Sequence, residues 1–168
     1  DVYKRQTLYI STSANWVFAI DAASGAERWR FDAGLPKQIG YSSSASRGVS
    51  LWHGDTPVCP SRVFLGTLVG EVIALDARTG KLCSDFGVDG RVNLSEGVGA
   101  VELGQYSVTS PPAVIDDLIV VGSAIGDNRA KNLERGIVRA LDARTGAVKW
   151  LWDPIPNSID DPASNTCL

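Results

Sequence analysis

Apolar and polar residues alternate in short runs along this chain, and no window sustains a helical period. Runs with strand character cover Thr7–Ser11, 17–21, 47–52, 62–66, 113–117, 118–122 and 136–141. In the second run Val17, Ala19 and Asp21 alternate with Phe18 and Ile20, the pattern of a strand buried on both faces. The same motif recurs three times along the chain. It reads Ala19-Ile20-Asp21-Ala22-Ala23-Ser24-Gly25, then Ala74-Leu75-Asp76-Ala77-Arg78-Thr79-Gly80, then Ala140-Leu141-Asp142-Ala143-Arg144-Thr145-Gly146. The Asp carboxylate can accept bonds from backbone N–H groups two or three residues on, and the Ser or Thr hydroxyl can add another. The Gly supplies the positive φ of a tight reversal. A returning strand follows and carries an aromatic for packing on the next copy: Trp29, Trp150, and Phe86 as the nearest aromatic in the middle copy.

Three such turns, each behind a strand, indicate a repeat architecture. The Asp residues are 55 and 66 apart, whereas propeller blades run about 40–50 residues. The spacing therefore predicts blades with inserted loops, each an antiparallel sheet of four strands stacked radially. Asp21, Asp76 and Asp142 should each sit between the third and fourth strands. Residues 13–15 should turn the first hairpin. Two long connections, 33–62 and 87–105, separate the blades, and connections of that length are usually functional. The fold class is all-β, and residues 1–168 form one partial propeller domain of two to three blades. Residues 1–6 do not prepare a strand and are read as foreign to the natural protein. The chain lacks Met and ends in polar sequence, so it is expected to be an internal piece of a longer one.

A net charge of −3 argues against a nucleic-acid surface. No apolar run approaches the ~20 residues of a membrane helix. Of three cysteines, Cys59 precedes a strand and Cys83 follows the turn of the same blade. They could meet as a disulfide, worth roughly 3 kcal/mol and suited to an oxidising compartment, or remain separate thiols.

Candidate chemistry is sparse. Asp127-Asn128 follows a strand and a Gly-containing loop, and its oxygens suit a hard cation such as Ca²⁺ or Mg²⁺. Arg47 could pair bidentately with a carboxylate ligand. Thr109 precedes Ser110-Pro111-Pro112, which stiffens the chain in an extended form. His53 is the single histidine and reads as a loop residue, so a His-rich zinc site or a Ser-His-Asp triad is not expected here.

Several stretches resemble the membrane-bound quinoprotein glucose dehydrogenases. They are Arg47-Gly48-Val49-Ser50, Cys59-Pro60-Ser61-Arg62, Gly80-Lys81-Leu82-Cys83, Thr109-Ser110-Pro111-Pro112, Gly122-Ser123 with Asp127-Asn128, Gly136-Ile137-Val138-Arg139 and Val148-Lys149-Trp150. The resemblance runs from Thr7 to about Asn165, and the wider family includes quinate and shikimate dehydrogenases. It implies an eight-bladed propeller of the quinoprotein alcohol dehydrogenase type, holding pyrroloquinoline quinone (PQQ) and a divalent cation near its axis. Arg47 and Thr109 would contact the cofactor, and Asp127 and Asn128 would ligate the metal. The implied chemistry is oxidation of a sugar or polyol by a quinone held against a Lewis-acidic cation. Electrons would pass to ubiquinone, at the periplasmic face of the bacterial inner membrane, through membrane segments outside this chain. The catalytic base and a Trp stacking under the quinone are expected beyond Leu168. One departure stands out. Where the glucose enzymes carry His-x-x-Cys before Arg-Gly-Val, this chain has Ser43 and Ser46, which puts glucose itself in question. The alternative is a non-catalytic propeller, such as a scaffold lipoprotein of outer-membrane assembly. Such a scaffold would not need Arg47, Thr109 and Asp127-Asn128 together.

Overall fold

The structure, a computed structural model, describes residues 6–126 and 134–155. Among these residues there are eleven strands in chain order and no helix. The first sheet holds β1 (Thr7–Ser11), β2 (Trp16–Asp21) and β3 (Glu27–Asp32). The second holds β4 (Ser50–His53), β5 (Ser61–Gly66), β6 (Glu71–Asp76) and β7 (Arg91–Asn93). The third holds β8 (Ala113–Ile115), β9 (Leu118–Val121), β10 (Val138–Asp142) and β11 (Val148–Trp152). Every pairing is antiparallel, and each sheet keeps its strands in chain order. This is the propeller arrangement expected from the repeats.

The turns take the form that their residues require. Asp21 Oδ1 accepts from the N–H groups of Ala23 and Ser24 at 3.0 and 2.9 Å. Asp76 Oδ1 does the same with Arg78 and Thr79, and Asp142 Oδ1 with Arg144 and Thr145. In all three, the Gly N–H reaches back to the Asp carbonyl at 2.8 Å. The glycines adopt φ of 73°, 71° and 75°, a region costly for any residue with a Cβ. Asp76 and Asp142 close the third strand of their sheets, as expected. The first sheet has only three strands, so Asp21 closes its second strand rather than a third, still before the last strand. The 12–15 turn also forms, with Asn15 at φ 55° and fully buried.

The middle sheet is buried on both faces. Val63, Leu65, Ile73 and Leu75 pack on Val17, Ala19 and Trp29 of the first sheet. Phe64, Val72 and Ala74 pack on Ile119, Val121 and Leu141 of the third. Each interface is fastened at the Asp turn of the later sheet. Trp29 lies over Gly80, so close that a Cβ there would stand 2.6 Å from the indole. Its Nε1–H donates to Ala77 O at 3.0 Å, and the Tyr9 hydroxyl donates to the same oxygen at 2.9 Å. At the next interface Phe86 covers Gly146, and Gly87 N–H donates to Thr145 O at 2.9 Å. Ala143 O, the counterpart of Ala77 O, accepts from the buried Arg62 at 3.2 Å. Arg62 also pairs with Asp85 at 2.6 Å. Phe86 thus takes the role of the missing Trp, as the aromatic spacing implied.

The middle repeat departs in its fourth strand. After Gly80 the chain makes only an isolated bridge, Leu75 with Leu82, and the fourth strand is β7, ten residues further on. Cys83 is bonded to Cys59 with Cα atoms 5.9 Å apart, so the disulfide reading holds. It occupies the place held in the other copies by Arg28 and Lys149, which pair with Asp21 and Asp142. β4 begins at Ser50 rather than Arg47, and His53 ends that strand instead of lying in a loop.

Two outcomes follow for stability. Trp29→Phe keeps the ring over Gly80 but loses one buried bond, and should cost about 1 kcal/mol. Trp29→Ala also opens a cavity and should cost about 3–5 kcal/mol in denaturant titration. The second outcome concerns acid. Burial pushes the Asp142 carboxyl up, but Lys149 and the N–H groups of Thr145 and Arg144 together hold it below the usual range. The Arg28 guanidinium, with the Ser24 N–H and hydroxyl, holds Asp21 lower still. A depressed folded-state value gives stability that is full above about pH 4 and fades as pH falls through the folded value. Thermal midpoints measured between about pH 5 and 2.5 should therefore fall. Asp21→Asn with Asp142→Asn should flatten that decline.

Candidate cofactor site

The Asp turns lie at one end of the sheets, and the two long connections cross the other end. In the structure the first connection, 33–49, leads into β4 and the second, 94–112, leads into β8. These two strands approach each other, so the connections meet where the second and third sheets converge. They run side by side in the same direction. Ser42 N–H donates to Gly104 O and Arg47 N–H to Thr109 O, both at 2.9 Å. Gln105 Nε2 donates to Gly40 O at 3.0 Å. Gly104 permits this approach, since a Cβ there would lie 2.9 Å from Gly40 O.

At the end of this parallel run stand two of the expected site residues. Arg47 Nη1 donates to Thr109 Oγ1 at 2.7 Å, across 62 residues of chain. The preceding Ser46 bonds Ser11 of β1 at 2.9 Å, and Ser50 bonds Pro112 O. Arg47 is therefore fixed at a junction of all three sheets. Pro111 and Pro112 hold the second connection extended, so the Thr109 hydroxyl is aimed by its backbone. Asp127 and Asn128 lie outside the described residues. The segment leading to them does come here: Ala124 pairs with Ser107 through bonds of 2.7 and 2.9 Å.

The chemistry of the pair is that of an anion seat. Arg47 is exposed and makes no ion pair with a carboxylate among the described residues. One of its N–H groups is used on Thr109, and the others remain. The Thr109 oxygen accepts from Arg47, so its own proton is free to point outward. Together they present convergent donors to a carboxylate. This donor set fits the carboxylated quinone that the resemblance implies. Ser43 and Ser46 are the positions where the resemblance would lead one to expect His and Cys. Ser43 Oγ accepts from Ala45 N–H at 3.4 Å, and Ser46 serves the bond to β1. His53 lies at the opposite end of β4, with Nδ1 2.7 Å from Ser61 Oγ. Among the described residues no three His, Cys, Asp or Glu side chains gather as a metal centre would.

Residue pattern alone did not single out Arg62, Tyr106 or Arg139, all of them buried. For the two arginines a signal was present. Each interrupts an otherwise apolar strand, in Arg62-Val63-Phe64-Leu65 and Ile137-Val138-Arg139-Ala140-Leu141. A charge in such a run either faces water or is buried with partners.

Successive antiparallel sheets, packed face to face and joined by crossovers at one end, define a β-propeller. Residues 2–166 match the β-propeller domain of the glucose/ethanol/alcohol dehydrogenases that use PQQ, and the chain belongs to that family. It is 38% identical to the quinate/shikimate dehydrogenase (quinone) of Acinetobacter baylyi over 88% of this chain and 20% of that protein. It is 35% identical to the quinoprotein glucose dehydrogenase of Escherichia coli over 91% of this chain and 21% of that protein. The fold is similar to that of a quinohemoprotein alcohol dehydrogenase from Comamonas testosteroni. The TM-score is 0.73 and the identity 30%, over 93% of this chain and 21% of that one. The chain thus spans about a fifth of the length of these relatives.

Proposed function

We propose that the chain is part of a PQQ-dependent dehydrogenase that oxidises a sugar or polyol, with the cofactor seated against Arg47 and Thr109. The observation that carries this reading is the Arg47–Thr109 bond. An exposed guanidinium without an acid partner among the described residues is held by a hydroxyl from a separate crossover, on the face where the sheets converge. A purely structural arginine would be expected to find a carboxylate or a set of carbonyls, as Arg62 does.

In this reading Arg47 binds a carboxylate of PQQ, and Thr109 orients the guanidinium while offering its own proton. Asp127 and Asn128 offer oxygens to a divalent cation, Ca²⁺ or Mg²⁺. Bound there, the cofactor and cation supply a hydride acceptor polarised by a Lewis acid. The proton of the alcohol goes to a base outside this chain. Ser43 and Ser46 leave the first connection without an imidazole or a thiol, which favours a polyol or a cyclic polyhydroxy acid over glucose as substrate. Ubiquinone as electron acceptor and a periplasmic position at the inner membrane complete the proposal. Among the described residues, no helix is long and apolar enough to cross a membrane. The scaffold alternative has less support, because the family match spans nearly the whole chain and falls on a dehydrogenase domain.

The test uses the full-length enzyme. Arg47→Ala should weaken PQQ binding by about 10- to 100-fold, the worth of one or two charge-assisted bonds. It should leave the preferred cation unchanged. Quenching of apoenzyme fluorescence by added PQQ measures the affinity. Asp127→Ala should instead raise the cation concentration needed for reconstitution. Wild-type PQQ affinity in Arg47→Ala would remove the basis of the reading.

A further inference from the structure

The apolar interface between the second and third sheets encloses a short polar chain. Tyr106 is 1% exposed, and its ring packs on Gly70, where a Cβ would stand 2.8 Å from the ring. Its hydroxyl lies 2.5 Å from Ser123 Oγ and accepts from Arg139 Nη1 at 3.0 Å. Arg139, in β10, is also buried, and its Nη2 donates to Glu96 O at 2.8 Å. Ser123 Oγ donates to Ile137 O at 3.2 Å. One phenol therefore ties together the second connection, the segment after β9, and β10. A phenylalanine would fill the same space. A buried hydroxyl between a guanidinium and a second hydroxyl is tolerated only where every partner is in place, and such a network fixes geometry.

What it fixes lies three residues along. From Tyr106 the chain pairs Ser107 with Ala124 and Val108 with Thr67 O, and then presents Thr109 to Arg47. We propose that Tyr106, together with Ser123 and Arg139, is a positioning residue for the Arg47–Thr109 anion seat. Its hydroxyl sets where Thr109 stands, and Thr109 in turn sets the guanidinium. The proposal rests on the reading that this seat holds PQQ.

The experiment is a double-mutant cycle in the full-length enzyme, read by PQQ affinity from fluorescence quenching and by the thermal midpoint of the apoenzyme. Tyr106→Phe should raise the PQQ dissociation constant about 5- to 10-fold, the worth of one buried bond. The midpoint should fall by only about 2–4 °C, since one buried bond is lost but the ring packing is kept. In a Thr109→Val background the same change should cost less than about twofold, because the phenol acts through Thr109. Equal losses in both backgrounds, or no loss in either, would overturn the proposal. Ser123→Ala carries the same cycle if Tyr106→Phe folds poorly. Arg47→Ala serves as control. Undiminished affinity there would defeat the cofactor reading and the proposal with it, whereas a loss there without one in Tyr106→Phe would defeat the positioning role alone.

Discussion

Each sheet of this protein is fastened to the next at the Asp turn of the later sheet. The turn folds by local bonds to the Asp carboxylate, and its backbone carbonyls then face the earlier sheet. Trp29 and Tyr9 take up Ala77 O, and Arg62 takes up Ala143 O. The residues differ, but the requirement is the same: a buried carbonyl between two sheets must find a donor. Glycine meets a second demand there. It gives the turn its left-handed backbone and leaves room for the aromatic that lies above it. Side chains at Gly80 and Gly146 would be excluded twice over.

Fixing the sheets at that end leaves the opposite end to the crossovers. The crossovers into β4 and β8 emerge where those strands converge, and they are joined to each other by backbone bonds rather than by side-chain packing alone. Arg47 and Thr109 therefore inherit their positions from three sheets. The middle sheet supports the seat, being buried on both faces. The disulfide and the Arg62–Asp85 pair hold the loops at its far end. Two buried arginines serve different ends in this scheme. Arg62 secures the turn, and Arg139 lies beneath the crossover that carries Thr109.

What could be read directly from the residues was what is local. The three turns are complete within about six residues each, so their Asp, Ser or Thr and Gly were legible, and with them the strands on either side. β7 was not legible, because Arg91-Val92-Asn93 is too short to show alternation and follows a disulfide loop that breaks the repeat. The start of β4 was misplaced for a related reason. Arg47-Gly48-Val49 has strand composition, but its backbone bonds the other crossover instead of a neighbour in the sheet. The approach of Arg47 to Thr109 could not come from pattern at all, since 62 residues separate them. The residues marked Arg47 as a partner for a carboxylate and Thr109 as stiffly presented, but only the family resemblance put the two at one site. Tyr106 was hidden for a different reason, because it looks like an ordinary core aromatic until its hydroxyl partners are known.

The fastening between sheets also has a direction. At the Asp turns the donor belongs to the earlier sheet and the acceptor carbonyl to the later one, so the two faces of each unit are unlike. Such a contact is heterologous, and it has no twofold axis on which to close upon itself. Units joined in this way continue to add until the accumulated rotation brings the last against the first. Angular order about the axis must then follow chain order.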